Sequence, residues 1–128
     1  MNAVQRILVV EDERAIRQVA ARILREAGYE VVEVEDGEVA LALLRDAGSS
    51  PIDLVLTDLR MPRLNGVQLG LAIERLGLNV RVTYMTAYGD AAMWLPDEIR
   101  QTRLLIKPFT ASALLEFVAW HLPPVAAG

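Results

Sequence analysis

Ile7-Leu8-Val9-Val10-Glu11-Asp12 is the stretch that decides the fold. Four aliphatic residues in a row, too few for a helix, read as a strand buried on both faces. Two carboxylates follow at once. The same junction recurs three times along the chain. Leu54-Val55-Leu56 leads to Asp58, Val80 to Met85 leads to Thr86, and Leu104-Leu105-Ile106 leads to Lys107. In a parallel α/β sheet the carboxyl ends of the strands line one edge, and ligands bind there. Four strand ends then deliver three carboxylates, a hydroxyl and an ammonium to one spot. Carboxylates in a crevice repel each other unless a cation joins them, so the set implies a divalent metal. The ammonium and the hydroxyl suit an anion beside that metal, with phosphate as the candidate.

The remaining elements are read outward from these ends. Arg6 to Val10 is a strand, and Asp12 fits the N-cap of a first helix. Ile16, Val19, Ala20, Ile23, Leu24 and Ala27 follow at helical spacing, and Gly28 is the stop. Val31 to Val34 is a second strand, interrupted by Glu33. Asp36-Gly37 turns into a second helix with Val39, Ala40, Leu43, Leu44 and Ala47 on one face, followed by a Gly48-Ser49-Ser50-Pro51 loop. Ile52 to Thr57 is the third strand, and Arg60 to Asn65 is a loop. A third helix from Gly66 carries Val67, Leu69, Gly70, Ile73 and Leu76. Val80 to Met85 is the fourth strand. Between Asp90 and Arg103 a short helix is expected before Pro96 and another turn or two after it, because proline interrupts a longer one. Leu104 to Ile106 is the fifth strand. Thr110 caps a last helix with Ala113, Leu114, Phe117 and Val118 inward. Trp120 reads as core and Trp94 as partly exposed. Strands alternating with helices predict βαβ units, a parallel sheet and right-handed crossovers that place helices on both faces.

Bulk properties narrow the function classes. A length of 128 residues fits one domain. The chain is 53% hydrophobic, yet no window approaches the unbroken apolar run of about 20 residues that a membrane helix needs. It has no cysteine, so neither disulfides nor Cys-ligated zinc enter, which suits the cytoplasm. A net charge of −4 gives no footprint for direct nucleic-acid binding. Arg14, Arg17, Arg22 and Arg25 read as a solvated helix face. His121, the only histidine, reads as favouring the dipole of the last helix. Residues 1–122 form the domain, and 123–128, with Pro123-Pro124, read as a tail or linker stub.

Val9-Val10-Glu11-Asp12, Asp58-Leu59-Arg60-Met61-Pro62-Arg63-Leu64-Asn65-Gly66, Met85-Thr86-Ala87-Tyr88-Gly89-Asp90 and Lys107-Pro108-Phe109 resemble, in this order and spacing, a response-regulator receiver domain of two-component signalling. The resemblance covers nearly the whole chain. It implies a flavodoxin-like sheet of five strands in the order 2-1-3-4-5 with about five helices. It implies Asp58 as phosphoacceptor, with Glu11, Asp12, Asp58 and the backbone carbonyl of Arg60 as ligands of Mg²⁺, for which Mn²⁺ can substitute. Lys107 is expected to pair with a phosphoryl oxygen. Thr86 is expected to donate its hydroxyl to the same group, with backbone N–H groups around Arg60 and Ala87 as further donors. A cis Lys107-Pro108 bond is also implied. Taken singly, the residues have bland readings. Asp12 is then a helix cap, Asp58 a turn-former ahead of Pro62, Thr86 a strand-end hydroxyl and Lys107 a solvated lysine. All four must hold together for the bland account to survive.

Three features depart from the family pattern. Leu104 stands where an aromatic residue usually lies, three positions before the lysine, and it has no large ring to reorient. Glu98 to Arg103 replaces an Ala/Gly-rich turn beside the face of the fourth helix, fifth strand and fifth helix, where many receivers engage partners or form homodimers. Arg60 and Tyr88, two residues beyond Asp58 and Thr86, flank the route of attacking water and should tune phosphate lifetime.

The reading that follows is a cytoplasmic switch, not a turnover enzyme, that takes its phosphoryl group from a histidine kinase or a histidine phosphotransfer protein. Two alternatives stand beside it. One is a receiver that docks or dimerises without phosphorylation. The other is a small Mg²⁺-dependent phosphohydrolase, disfavoured because Arg60 stands where aspartyl-nucleophile phosphatases tend to carry a second aspartate.

Overall fold

The computed structural model describes residues 4–46, 51–87 and 90–122. Expectations for Ala47, the Gly48–Ser50 loop, Tyr88 and the 123–128 tail lie outside the described residues. Five parallel strands, β1 (Arg6–Val10), β2 (Glu30–Val34), β3 (Leu54–Asp58), β4 (Arg81–Thr86) and β5 (Leu104–Ile106), form one sheet in the order β2-β1-β3-β4-β5. Five helices connect or follow them: α1 (Arg14–Glu26), α2 (Gly37–Arg45), α3 (Gly66–Arg75), α4 (Asp97–Thr102) and α5 (Ala111–His121). A 3₁₀ turn over Asp90–Trp94 precedes Pro96, and α4 follows it, so the proline does divide this segment. The fold is the doubly wound, flavodoxin-like arrangement expected from the sequence.

Strand alternation splits the core in two. Leu8, Val10, Val55, Val82 and Tyr84 face one side and pack with Ala40, Leu44, Leu69 and Ile73 of α2 and α3. Ile7, Val9, Leu54, Leu56 and Met85 face the other side and pack with Ala20, Leu24, Leu114 and Val118 of α1 and α5. Helix caps follow the sequence signals. Asp36 accepts from the Val39 N–H at 2.8 Å at the start of α2. Asn65 and Gln68 form a capping box on α3, and Thr110 caps α5.

Several expectations are corrected. Trp120 is 79% exposed and is not core; it sits on the outer side of α5, whose buried residues are Leu114, Val118 and His121. Val19, expected inward on α1, is 55% exposed, and the helix instead buries Ala20, Ala21 and Leu24. Val39 and Leu76 are likewise exposed, and Ala27 is the exposed C-cap of α1. The apolar stripe of each helix is narrower than its list of apolar residues, because only one face can meet the sheet. Asp12 caps nothing: α1 begins after Glu13, which makes no side-chain capping bond. Arg17 is not merely solvated, since it donates to the Glu11 carbonyl at 2.8 Å and lies 3.6 Å from Glu33. His121 is buried, and its Nδ1 accepts from Arg81 Nε at 3.4 Å. Burial holds its pKa below the ordinary value, with the Arg81 charge acting the same way, so it is neutral at pH 7 and adds no cation to the helix end.

Candidate functional site

The residues at the carboxyl ends of β1, β3, β4 and β5 meet at one edge. Asp58 is the last residue of β3 and Thr86 the last of β4. Lys107 follows β5 directly, and its backbone N–H donates to the Thr86 carbonyl at 2.8 Å. The Lys107-Pro108 peptide is cis. Lys107 Nζ lies 2.5 Å from Glu11 Oε1 and 3.3 Å from Asp58 Oδ2. One ammonium thus bridges carboxylates from two strand ends, 96 residues apart in sequence in the case of Glu11.

Burial sharpens the electrostatics. Glu11 is only 1% exposed, Asp58 and Thr86 are also buried, and Asp12 is exposed. Desolvation pushes the pKa of Glu11 up to about 7; the hydrogen bond from Lys107 pulls it down, and the Asp58 charge raises it further. Burial acts to lower the pKa of Lys107, but the Glu11 hydrogen bond and the charges of Asp58 and Glu11 outweigh it and hold the group up. Lys107 therefore remains an ammonium at neutral pH.

One carboxylate oxygen from each of Glu11, Asp12 and Asp58 lies within 4.8 Å of the other two. The donor set is all oxygen, and Asp12 opens it to solvent. That fits a hard divalent cation, which takes a few carboxylates and retains waters. It does not fit a metal that prefers sulfur or nitrogen ligands. The adjoining cleft, about 420 Å³, is lined by Asp12, Asp58, Arg60, Thr86, Ala87 and Lys107 among others. Among the described residues, the Thr86 hydroxyl makes no hydrogen bond. Leu104 is half-buried and packs on the side of the sheet that carries α2 and α3.

Three contacts that support the site escaped the sequence reading. Gly66 is required by close approach, since a Cβ there would lie 2.3 Å from the Asp58 carbonyl oxygen and 3.0 Å from Leu59 Cα. Its signal was the Asn-Gly step that opens α3. Arg63, in the left-handed region at φ 66°, places its guanidinium 2.5 Å from Asp36 and so ties the loop after Asp58 to the start of α2. Arg60 sets its guanidinium carbon 5.7 Å from the centroid of the Trp94 ring. No sequence spacing announces contacts between residues 27 or 34 positions apart.

These strand ends and this sheet order define a class, and comparison with known proteins names it. The profile of the response regulator receiver domain matches residues 7–119, and the chain belongs to that family. It is 40% identical over 121 residues to the response regulator protein FleR of Pseudomonas aeruginosa, covering 91% of this chain and 24% of that one. It is 30% identical over 107 residues to the response regulator receiver protein CpdR of Brucella abortus, covering 82% of this chain and 86% of that one. A crystal structure of a response regulator receiver domain protein from Clostridium thermocellum superposes with a TM-score of 0.80 at 28% identity, over 93% of this chain and 94% of that one. The chain thus spans about a quarter of FleR but most of CpdR. Membership in the family carries with it a place in two-component signal transduction. Among the described residues, no helix is long and apolar enough to cross a membrane.

Proposed function

We propose that this receiver is a phosphorylation-activated switch with Asp58 as its phosphoacceptor. The observation that carries the reading is the bridge of Lys107 Nζ between Glu11 and Asp58 beside three converging carboxylates. A donor phosphohistidine presents phosphorus to Asp58. A carboxylate oxygen forms the new O–P bond as the N–P bond breaks, and the imidazole nitrogen leaves and is protonated. Lys107, held as an ammonium by its carboxylate neighbours, turns to a phosphoryl oxygen. Thr86, with a hydroxyl not engaged by any described residue, donates to another. Glu11, Asp12, Asp58 and the Arg60 carbonyl are the groups that would hold Mg²⁺ or Mn²⁺; the ion supplies neutralisation of the charge that gathers on the phosphoryl oxygens. Water later attacks the phosphorus, restores the carboxylate and releases phosphate.

The donor is read as a macromolecule, a histidine kinase or a phosphotransfer protein. Ala15, Ile16, exposed Val19, Pro108 and Phe109 form an apolar cleft beside Lys107. Such a surface suits a docked helix and has no use for a small phosphomonoester, which disfavours the phosphohydrolase alternative. The acquired charge draws Thr86 inward and shifts an existing equilibrium between two arrangements of α4, β5 and α5, changing affinity for an output partner or a second copy of the chain. Residues 1–122 are taken as the switching unit, acting in the cytoplasm. Intact-protein mass after incubation with acetyl phosphate tests the reading. A gain of one phosphoryl group that needs both Mg²⁺ and Asp58 is expected. Uptake that survives Asp58→Asn, or none in any condition, would overturn it.

A further inference from the structure

The side chain of Arg60 lines the cleft but has no part in the proposed chemistry, and it rests against Trp94. Arg60 lies two residues beyond Asp58, is exposed and lines the same cleft as Asp58, Thr86 and Lys107. Its guanidinium carbon stands 5.7 Å from the centroid of the Trp94 ring, within the range of a cation–π contact. Trp94 ends the 3₁₀ turn that follows β4, and it is 44% exposed. Among the described residues Arg60 makes no ion pair, so the indole face is the partner that holds it. The contact joins the loop after β3 to the segment after β4 across the mouth of the cleft.

The two partners available to Arg60 are unequal once Asp58 is modified. A phosphoryl group brings extra negative charge and three strong acceptor oxygens to the cleft. A guanidinium matches those oxygens with a fork of charge-assisted hydrogen bonds, stronger than attraction to the face of a half-exposed ring. Arginine also remains charged at every physiological pH, so the choice depends on phosphate and not on protonation. We propose that Arg60 is a two-position residue: it rests on Trp94 while Asp58 is unmodified, and it leaves for the phosphoryl oxygens when Asp58 is phosphorylated, freeing the indole. The inference rests on Asp58 being the phosphoacceptor. It gives the side chain of Arg60 a binding role and provides a reporter in a chain whose position 104 is leucine.

The test follows Trp94 alone. The chain has two tryptophans, and Trp120 is far exposed, so Trp120→Phe leaves Trp94 as the one tryptophan, read with excitation at a wavelength that tyrosine does not absorb, with little disturbance of packing. Acetyl phosphate and Mg²⁺ are added, and intact mass, Trp94 emission and acrylamide quenching are read on the same samples. The expected result is a shift in emission and a rise in quenching that scale with the phosphorylated fraction. With Arg60→Met in this background, the donor-free protein should already show the more quenched Trp94, and no further shift should accompany any mass gain. Mass gain without a Trp94 response overturns the inference and leaves Asp58 as phosphoacceptor. So does an Arg60→Met protein whose resting Trp94 matches that of its parent. Absence of mass gain in the Trp120→Phe parent overturns both readings together.

Discussion

Gly70 and Tyr84 form a steric pair whose disruption can be worked out from distances. Gly70 lies mid-helix in α3, and Tyr84 is a buried residue of β4 beneath it. A Cβ at position 70 would stand 2.2 Å from Tyr84 Oη, 3.3 Å from Cζ and 3.6 Å from Cε1. In an unhindered helix interior, Gly→Ala stabilises by about 1 kcal/mol. Forcing a methyl into a filled core costs about 1–3 kcal/mol. Gly70→Ala should therefore destabilise by up to about 2 kcal/mol, with the clash outweighing the helix preference. Tyr84→Phe removes the oxygen, which has no hydrogen-bond partner among the described residues, and leaves Cζ as the nearest obstacle at 3.3 Å. A shift of a few tenths of an ångström relieves that contact. In the Tyr84→Phe background Gly70→Ala should be neutral or stabilising by up to about 1 kcal/mol, giving a coupling of up to about 3 kcal/mol. Urea unfolding of the four proteins at pH 7.5 measures it. The reasoning fails if Gly70→Ala is as stable as wild type, or if it costs the same in both backgrounds. Tyr84 lies two residues before Thr86 on the same face of β4.

Two more predictions concern the scaffold. Asp36→Ala removes both the α2 cap and the anchor of Arg63, and should destabilise by about 1–2 kcal/mol at pH 7. The Val39 N–H, and then Arg63, hold the Asp36 pKa below its ordinary value, so its contribution is present above the unfolded pKa and lost as pH falls through the folded one; the gap between wild type and Asp36→Ala should narrow in that acid window by urea unfolding. His121 has a folded pKa below the unfolded 6.5, chiefly through burial. The unfolded chain then binds more protons as pH drops below that value, so stability falls. Glu11, with its pKa raised by burial from 4.5 to about 7, works in the opposite sense over an overlapping range. Comparison with His121→Gln isolates the histidine: the variant should lose less stability than wild type between pH 7.5 and 5.5, and equal losses would refute the assignment.

Much of this protein was legible in its residues. Short aliphatic runs such as Ile7 to Val10 read as strands buried on both faces, and their alternation with helical stretches permits a doubly wound sheet. Polar residues directly after such runs mark the sheet edge where ligands bind, which is why Glu11, Asp12, Asp58, Thr86 and Lys107 could be gathered into one site before any coordinates. Caps and breakers were equally local: Asp36, Asn65-Gly66, Thr110 and Pro96 act within a few residues of themselves.

Other features were decided only by packing. Trp120 and Val19 carry apolar side chains at plausible helical positions, yet each lies on the side turned away from the sheet, because the rotation of a helix is fixed by the neighbours it meets and not by its own composition. His121 is held neutral chiefly because the packed helix buries it, with the Arg81 charge that β4 brings against it acting the same way. The bridge from Lys107 to both Glu11 and Asp58, the Arg63–Asp36 tie and the Arg60–Trp94 contact each join distant parts of the chain. The sequence by itself determined which groups stand at the strand ends, since burial of a strand is written in consecutive residues. The tertiary structure decided which of those groups touch, since distances between elements depend on how the whole sheet and its helices close around one core.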